Sequence, residues 1–176
     1  IYKPSNNPTD RIATFQLVDG VGMYGGFSIG GLSFENRDWN EYITILSGDL
    51  DDNDSESINP NDATRSDNSF SVLGIYNVGS STIIDGFIIT AGNANGSVDP
   101  YNEGGGLHIN SGNPIIKNVI FENNSSSTHG GGMIVISGNP SLENVTFRNN
   151  EAYSGGGLYV FNGNPTLSNT NFTNNS

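Results

Sequence analysis

Cysteine is missing from this 176-residue chain, which excludes a disulfide scaffold and thiolate metal sites. Its absence suits an exported bacterial chain and a cytosolic one equally. Long apolar runs are missing too: no stretch approaches the roughly 18 residues that would cross a membrane as a helix. The opening "IYKPSNNPTD" has neither the basic nor the apolar block of a signal peptide. Basic residues are scarce, with 6 Lys and Arg against 18 Asp and Glu and a formal net charge of -12. Such a charge repels phosphate backbones and anionic lipid surfaces, which argues against nucleic acid as a partner and against direct membrane insertion.

Apolar residues make up only 34% of the chain and there are 24 glycines. A core must therefore be assembled from many short apolar runs, and long helices are not expected. The length suits a single domain, residues 1–176, or a segment of a longer elongated protein. N-x-S/T sequons such as those at Asn95, Asn144 and Asn171 are what a chain rich in Asn, Ser and Thr produces by chance.

What the chain does have is repetition. Glycine triplets begin at Gly104, Gly130 and Gly155, 26 and then 25 residues apart. Downstream of each, Asn113-Pro114, Asn139-Pro140 and Asn164-Pro165 match, as do Asn118, Asn144 and Asn169, then Phe121, Phe147 and Phe172. A period near 25 leaves leucine-rich repeats, β-solenoids or a chance duplication. Each unit holds one or two leucines and no room for a helix, so the leucine-rich option fades. Apolar residues alternate over three very short stretches bounded by Gly, Asn and Pro, a strand pattern with turn punctuation. Three strands per turn point to an all-β parallel β-helix, with about five inward side chains per coil.

Period-two alternation places Leu107, Met133 and Leu158 inside on the first strand with Ile109, Val135 and Val160, and turns His108, Ile134 and Tyr159 outward. Ile116, Leu142 and Leu167 point in on the second strand. Val119, Val145 and Thr170 precede inward Phe121, Phe147 and Phe172 on the third. Stacked coils lie about 4.8 Å apart, so like side chains form ladders. Asn118, Asn144 and Asn169 fall where the inward phases of two strands do not match; asparagine tolerates the left-handed corner needed there. Asn124 is read as a further corner. Lys117 should stack on Glu143 and Glu122 on Arg148.

Upstream, "STIIDGFIITAGNAN" fits the same frame at a shift of 32, placing Ile84, Phe87, Ile89 and Gly92 over Ile116, Val119, Phe121 and Asn124. Residues 71–103 thus form a degenerate coil, with "GSVDPYNEG" as a projecting loop, ahead of three regular coils in 104–176. Residues 1–70 read as irregular earlier coils built from "ATFQLV", "VGMYGGF" and "YITILSG", with long loops at 28–40 and 49–69.

The pairing of "GGGL...FENN", "GGGM...FRNN" and "GGGL...FTNN" resembles the repeats of chlamydial polymorphic outer membrane proteins, whose β-helical passengers are surface-displayed adhesins. The remainder, "YKPS...DRIATFQLVDGVGMYGGFS...RDWN...TILSGDLDDND" with "IIDGFIITAGNAN", resembles large secreted or surface proteins of environmental bacteria with right-handed parallel β-helix repeats. Those relatives have a segment before "YKP" and repeats beyond the last one here. The resemblance implies a right-handed solenoid, a secreted or cell-surface location, and a chain that belongs to a longer polypeptide or to a subunit covered by neighbours at its ends.

The sharpest chemical cluster is "SGDLDDNDSES", where Asp49, Asp51 and Asn53 alternate with Asp54 close behind. Oxygen ligands at this spacing can wrap one hard cation, so calcium is the one expected cofactor. Asp54 stands where an EF-hand needs Gly and Pro60 where it needs Glu, and the other reading is a solvated acidic loop. Lys3, Arg11, Arg37, Arg65, Lys117 and Arg148 are scattered, and no spaced carboxylate pair recurs, so lyase or glycosidase chemistry is not expected. His108 and His129 lack a third ligand and read as surface polar residues. Trp39, beside Arg37 and Asp38, reads as packing a loop onto the solenoid. Outward Ile134, Ile136, Tyr159 and Phe161 form an apolar stripe that calls for a cover: the N-terminal loops, another subunit or a ligand.

Three functions follow as expectations: a non-catalytic adhesive or structural module at the cell surface, a self-assembling subunit of an extracellular filament, and a carbohydrate-active enzyme. The expected partners are a second copy of the chain, a host or neighbouring cell surface, or a glycan.

Overall fold

Glycine, asparagine and proline at fixed intervals cut the chain into short extended pieces. The computed structural model describes residues 1–31 and 33–176. Among the described residues, helix is confined to two 3-10 turns, Phe34–Asn36 and Ala63–Arg65. The fold is all-β, and its strands pair in parallel.

The chain passes through five repeat units. The first supplies β1 (Phe15–Leu17), β2 (Gly22–Tyr24) and β3 (Ile45–Ser47); the second β4 (Leu73–Val78), β5 (Ile83–Thr90) and β6 (Asn93–Ala94). The third holds β7 (Leu107–Gly112), β8 (Ile115–Glu122) and β9 (Ser125–Ser126), and the fourth β10 (Met133–Ser137) and β11 (Ser141–Arg148). The fifth holds β12 (Leu158–Val160), β13 (Thr166–Ser168) and β14 (Asn171–Thr173). Equivalent strands of successive units pair, giving a five-stranded sheet in the order β1-β4-β7-β10-β12 and a seven-stranded sheet running β13-β11-β8-β5-β2. In the latter, β3 also pairs with β5 and β14 with β11; β6 and β9 make a third, small sheet.

Register follows the sequence alignment. Ile84, Phe87 and Ile89 lie opposite Ile116, Val119 and Phe121, which in turn lie opposite Leu142, Val145 and Phe147. These rows, with Leu107, Ile109, Met133 and Val135, form one continuous buried cluster between the sheets. The phenylalanine rings stack nearly flat, Phe121 on Phe147 at 5.0 Å and Phe147 on Phe172 at 4.9 Å between centroids. Each fully buried ring of this kind contributes about 1.5–3 kcal/mol through apolar burial. Leu167 and Phe172 continue the rows but remain 45% and 50% exposed.

The second and third strands of a unit run on as one in β5, β8 and β11. Asn118 and Asn144 sit inside those strands at φ 51° and 55°. A left-handed residue reverses the alternation of side chains, so Ile116 and Val119, three positions apart, can both point inward. Gly86 at φ 85° holds the equivalent place in β5. Asn124, expected as a corner, is not one: the left-handed residue is its neighbour Asn123 at φ 54°, while Asn124 is buried and aims its amide into the stack. The outward ion pairs form, Lys117 Nζ to Glu143 Oε2 at 2.8 Å and Arg148 Nη2 to Glu122 Oε2 at 2.5 Å.

β1, β2 and β3 build one unit, and Tyr2 bridges in parallel to Leu46 on the side of β3 away from β5, one rung further out. β2 pairs with the first half of β5 and β3 with its second half. The 28–40 segment is therefore an insertion at the corner that later units turn with a single residue, Gly86 or an asparagine. The first glycine of each triplet is left-handed, with φ 68° at Gly104, 64° at Gly130 and 66° at Gly155, as re-entry into the five-stranded sheet requires.

Candidate functional site

On the outer face of the five-stranded sheet, Gly74, His108, Ile134 and Tyr159 occupy one row across four strands. The gap above Gly74 lets the Tyr76 ring fold back, where it stacks on the His108 imidazole at 5.7 Å. Farther along the row, His129 packs its ring 4.4 Å from that of Tyr159.

The opposite wall is the 96–104 segment. Gly96 donates its N–H to the Tyr101 carbonyl at 2.7 Å, which closes the loop on itself. The Tyr101 ring lies 5.1 Å from that of Phe70, and the Arg11 guanidinium sits 4.2 Å over Phe70 while donating to Asn95 Oδ1 at 2.7 Å. Thr128 pins the far end, its hydroxyl donating to the Asn102 carbonyl at 2.6 Å. So tethered, the loop delivers Glu103 between the two histidines: Oε1 lies 3.3 Å from His108 Nε2 and Oε2 lies 3.9 Å from His129 Nδ1.

Between these walls lies a groove of about 560 Å³. Tyr76, Ile136, Tyr159 and Phe161 supply apolar surface, and Asp99, Asn102, Glu103, Asn110 and Thr128 supply polar groups. Burial pushes the Glu103 carboxyl above its ordinary range, and Asp99 adds to the shift. Burial also pushes the His108 imidazole down, against a smaller upward pull from Asp99. His108 Nδ1 is buried without a hydrogen-bond partner. A carboxylate held between two imidazoles can accept hydrogen bonds or face a cation, and the rings offer flat surfaces for stacking.

Expectations for this face change. His108 is not a surface residue but 2% exposed, and Ile134 is 1% exposed. What stands over the stripe is the 96–104 loop, not the two N-terminal loops; Phe161, by contrast, remains exposed. Glu103, Asp99 and Tyr76 were not singled out from the sequence. The signal was there in two halves, an outward apolar stripe and an acidic insertion just before the first triplet, and only the tethering of the 96–104 loop to Phe70 and Thr128 joins them.

The acidic residues at 49–54 are arranged differently from a converging shell. Asp49 accepts the backbone N–H groups of Asn53 at 3.2 Å and Asp54 at 3.3 Å. The Asp51 N–H donates to Asp67 Oδ2 at 3.0 Å. Asp54 Oδ2 meets Arg65 Nη1 at 3.2 Å and Asn68 Nδ2 at 2.9 Å. Burial raises the Asp54 carboxyl, with Asn68 and then Arg65 pulling it back. Among the described residues, no group of three or more His, Asp or Glu side chains is placed to hold a metal ion.

Trp39 lines a smaller groove of about 250 Å³ with Gly86, Asn118 and Asn144. Its neighbour Arg37 pairs with Asp85 and lies 5.2 Å from the rings of Tyr24, Phe34 and Trp39, which ties the 28–40 loop to β5. No family model matches this chain, and neither a curated protein nor a solved structure does.

Proposed function

We propose that the chain is a non-catalytic structural and adhesive module of a secreted or cell-surface bacterial protein, wound as a right-handed parallel β-helix, and that it holds a glycan in the groove beside the 96–104 loop. Parallel pairing at repeat intervals, in-register ladders and the repeat resemblance support the winding. The observation that carries the function is the groove itself. Tyr76, Tyr159 and Phe161 present ring surface to the C–H faces of a sugar, while Asp99, Asn102, Glu103 and Asn110 offer hydrogen-bonding groups to hydroxyls.

An adhesive role fits this arrangement better than turnover. Glu103 lies against two imidazoles, 3.3 Å from His108 and 3.9 Å from His129, and the other carboxylate of the groove, Asp99, has no ion pair among the described residues to hold it as a partner acid or base. Binding to a panel of neutral, acidic and amine-bearing oligosaccharides, measured by calorimetry alongside release of reducing ends, tests the proposal. Binding without cleavage that weakens in Tyr159→Ala supports it. Absence of binding to every oligosaccharide overturns it, and cleavage replaces adhesion with hydrolysis.

A further inference from the structure

The charges around the groove are one-sided. Asp99 and Glu103 line it and no Lys or Arg does, among the described residues. The nearest candidates for counter-charge are imidazoles, and His108, being buried, favours its neutral form. A neutral imidazole donates a single N–H. Glu103 is thus a mostly buried carboxyl with no Lys or Arg partner in the groove, and its charged form is costly there unless a cation faces it. The faces of Tyr76 and Tyr159 add to the same preference, because a ring quadrupole turns its negative face to cations.

We infer that the glycan is an amino-sugar oligosaccharide with unsubstituted amines, and that one ammonium seats on Glu103 between His108 and His129, facing the rings of Tyr76 and Tyr159. The inference rests on the glycan reading above and narrows it to a chemical class. Uronate sugars are disfavoured, since a third carboxylate would enter beside Asp99 and Glu103. A lysine side chain offers the ammonium but no hydroxyls for Asn102, Asn110 and Thr128, so a basic peptide leaves the polar rim unmatched.

The test compares a glucosamine tetramer with its fully N-acetylated counterpart at about pH 6, low enough that amines acidified by neighbouring oxygens to somewhat below the α-amino range of roughly 7.7–8.0 are mostly protonated. The expected result is roughly tenfold tighter binding of the free amine, the weight of one hydrogen bond between charged groups. In Glu103→Gln that preference disappears, the free amine losing roughly tenfold more affinity than the acetylated tetramer, and Tyr159→Ala weakens both alike. Asp99→Asn, farther from the imidazoles, should reduce the preference in part, and thermal unfolding of each variant checks that the groove still folds. Equal or tighter binding of the acetylated tetramer overturns the inference. So does a Glu103→Gln variant that loses both ligands alike, or a lysine tetrapeptide that binds as well as the free amine. A preference for neutral or uronate oligosaccharides leaves the glycan reading standing and removes only the amine; no binding to any of them removes the groove reading itself.

Discussion

Asn150 and Asn124 share one amide oxygen: Asn150 Oδ1 accepts from both the backbone N–H and the Nδ2 of Asn124, each at 3.1 Å. The pattern propagates. Asn124 Oδ1 accepts from the Gly92 N–H at 3.0 Å, and Asn175 Oδ1 accepts from the Asn150 N–H at 3.1 Å and from its Nδ2 at 2.9 Å. Each side-chain amide also caps a carbonyl, Asn124 that of Ile89 and Asn150 that of Phe121, both at 2.9 Å. The ladder satisfies backbone groups that the turn after each phenylalanine would otherwise leave buried and unpaired.

Asn150→Ala removes the middle of that ladder and strands the Asn124 N–H and the Phe121 carbonyl. Buried groups left unpaired cost about 1–3 kcal/mol each, so a loss of about 3 kcal/mol is expected. Urea denaturation of the variant beside Asn144→Gly, which keeps the left-handed backbone at φ 55°, separates this from the outer asparagine column. There the mostly exposed side chains link to one another and, at one end, to the buried Asp85 carboxylate, and the loss should be under about 1 kcal/mol.

Arg65 is the pin of the 49–69 loop. It is 1% exposed, and besides Asp54 it donates to the carbonyls of Gly92 at 3.0 Å and Asn123 at 3.2 Å and to Ser125 Oγ at 3.3 Å. Arg65→Met leaves the Asn123 carbonyl without this donor and the half-buried Asp54 with Asn68 but no cationic partner, while Gly92 keeps the Ser125 N–H, for an expected cost of about 3–5 kcal/mol. Limited proteolysis should then cut between Asp51 and Asn61 faster than in the native chain. Repeating the digestion with calcium tests the cation suggested by Asp49, Asp51, Asn53 and Asp54. Protection of the native loop by calcium alone supports that site; equal rates with and without it leave Arg65 as the charge that orders the loop.

The groove should also set a pH dependence. Burial lowers the His108 pKa below its ordinary 6.5. The unfolded chain then binds the proton more readily than the folded one, so stability is complete above about pH 6.5 and is lost as pH falls toward the lowered value. Glu103 acts with the opposite sign. Its raised pKa means that stability is greatest below about pH 4.5 and is lost as pH rises through the folded value. Asp99, His129, Tyr76 and Tyr159 share the site, so the two slopes are read by difference. Urea midpoints across pH 4–8, a range chosen to bracket both groups at roughly their ordinary values, should show a flatter acid arm in His108→Gln. Glu103→Gln should gain stability at neutral pH.

Much of the core was readable one residue at a time. Ladder positions such as Ile116 over Leu142 follow from period-two alternation within a 26-residue spacing, because parallel strands in register must place like residues together. The same logic located Ile84, Phe87 and Ile89 at a shift of 32, since an insertion in a loop leaves the register of the strands untouched. Asn124 was misread because asparagine serves two purposes here. One is left-handed backbone, at Asn118 and Asn123; the other is amide pairing, at Asn124 and Asn150. Local sequence does not separate them.

The repeat spacing, the apolar rows and the left-handed asparagine column are properties the sequence by itself determined, because each depends on contacts that recur at one interval along the chain. The tertiary structure decided the groove. Glu103 comes from an insertion that follows no period, and it meets His108 and His129 only once the 96–104 loop is tethered to Phe70 and Thr128. Contacts between an irregular loop and a regular sheet leave no spacing to read, and they exist only when the two are brought together in space.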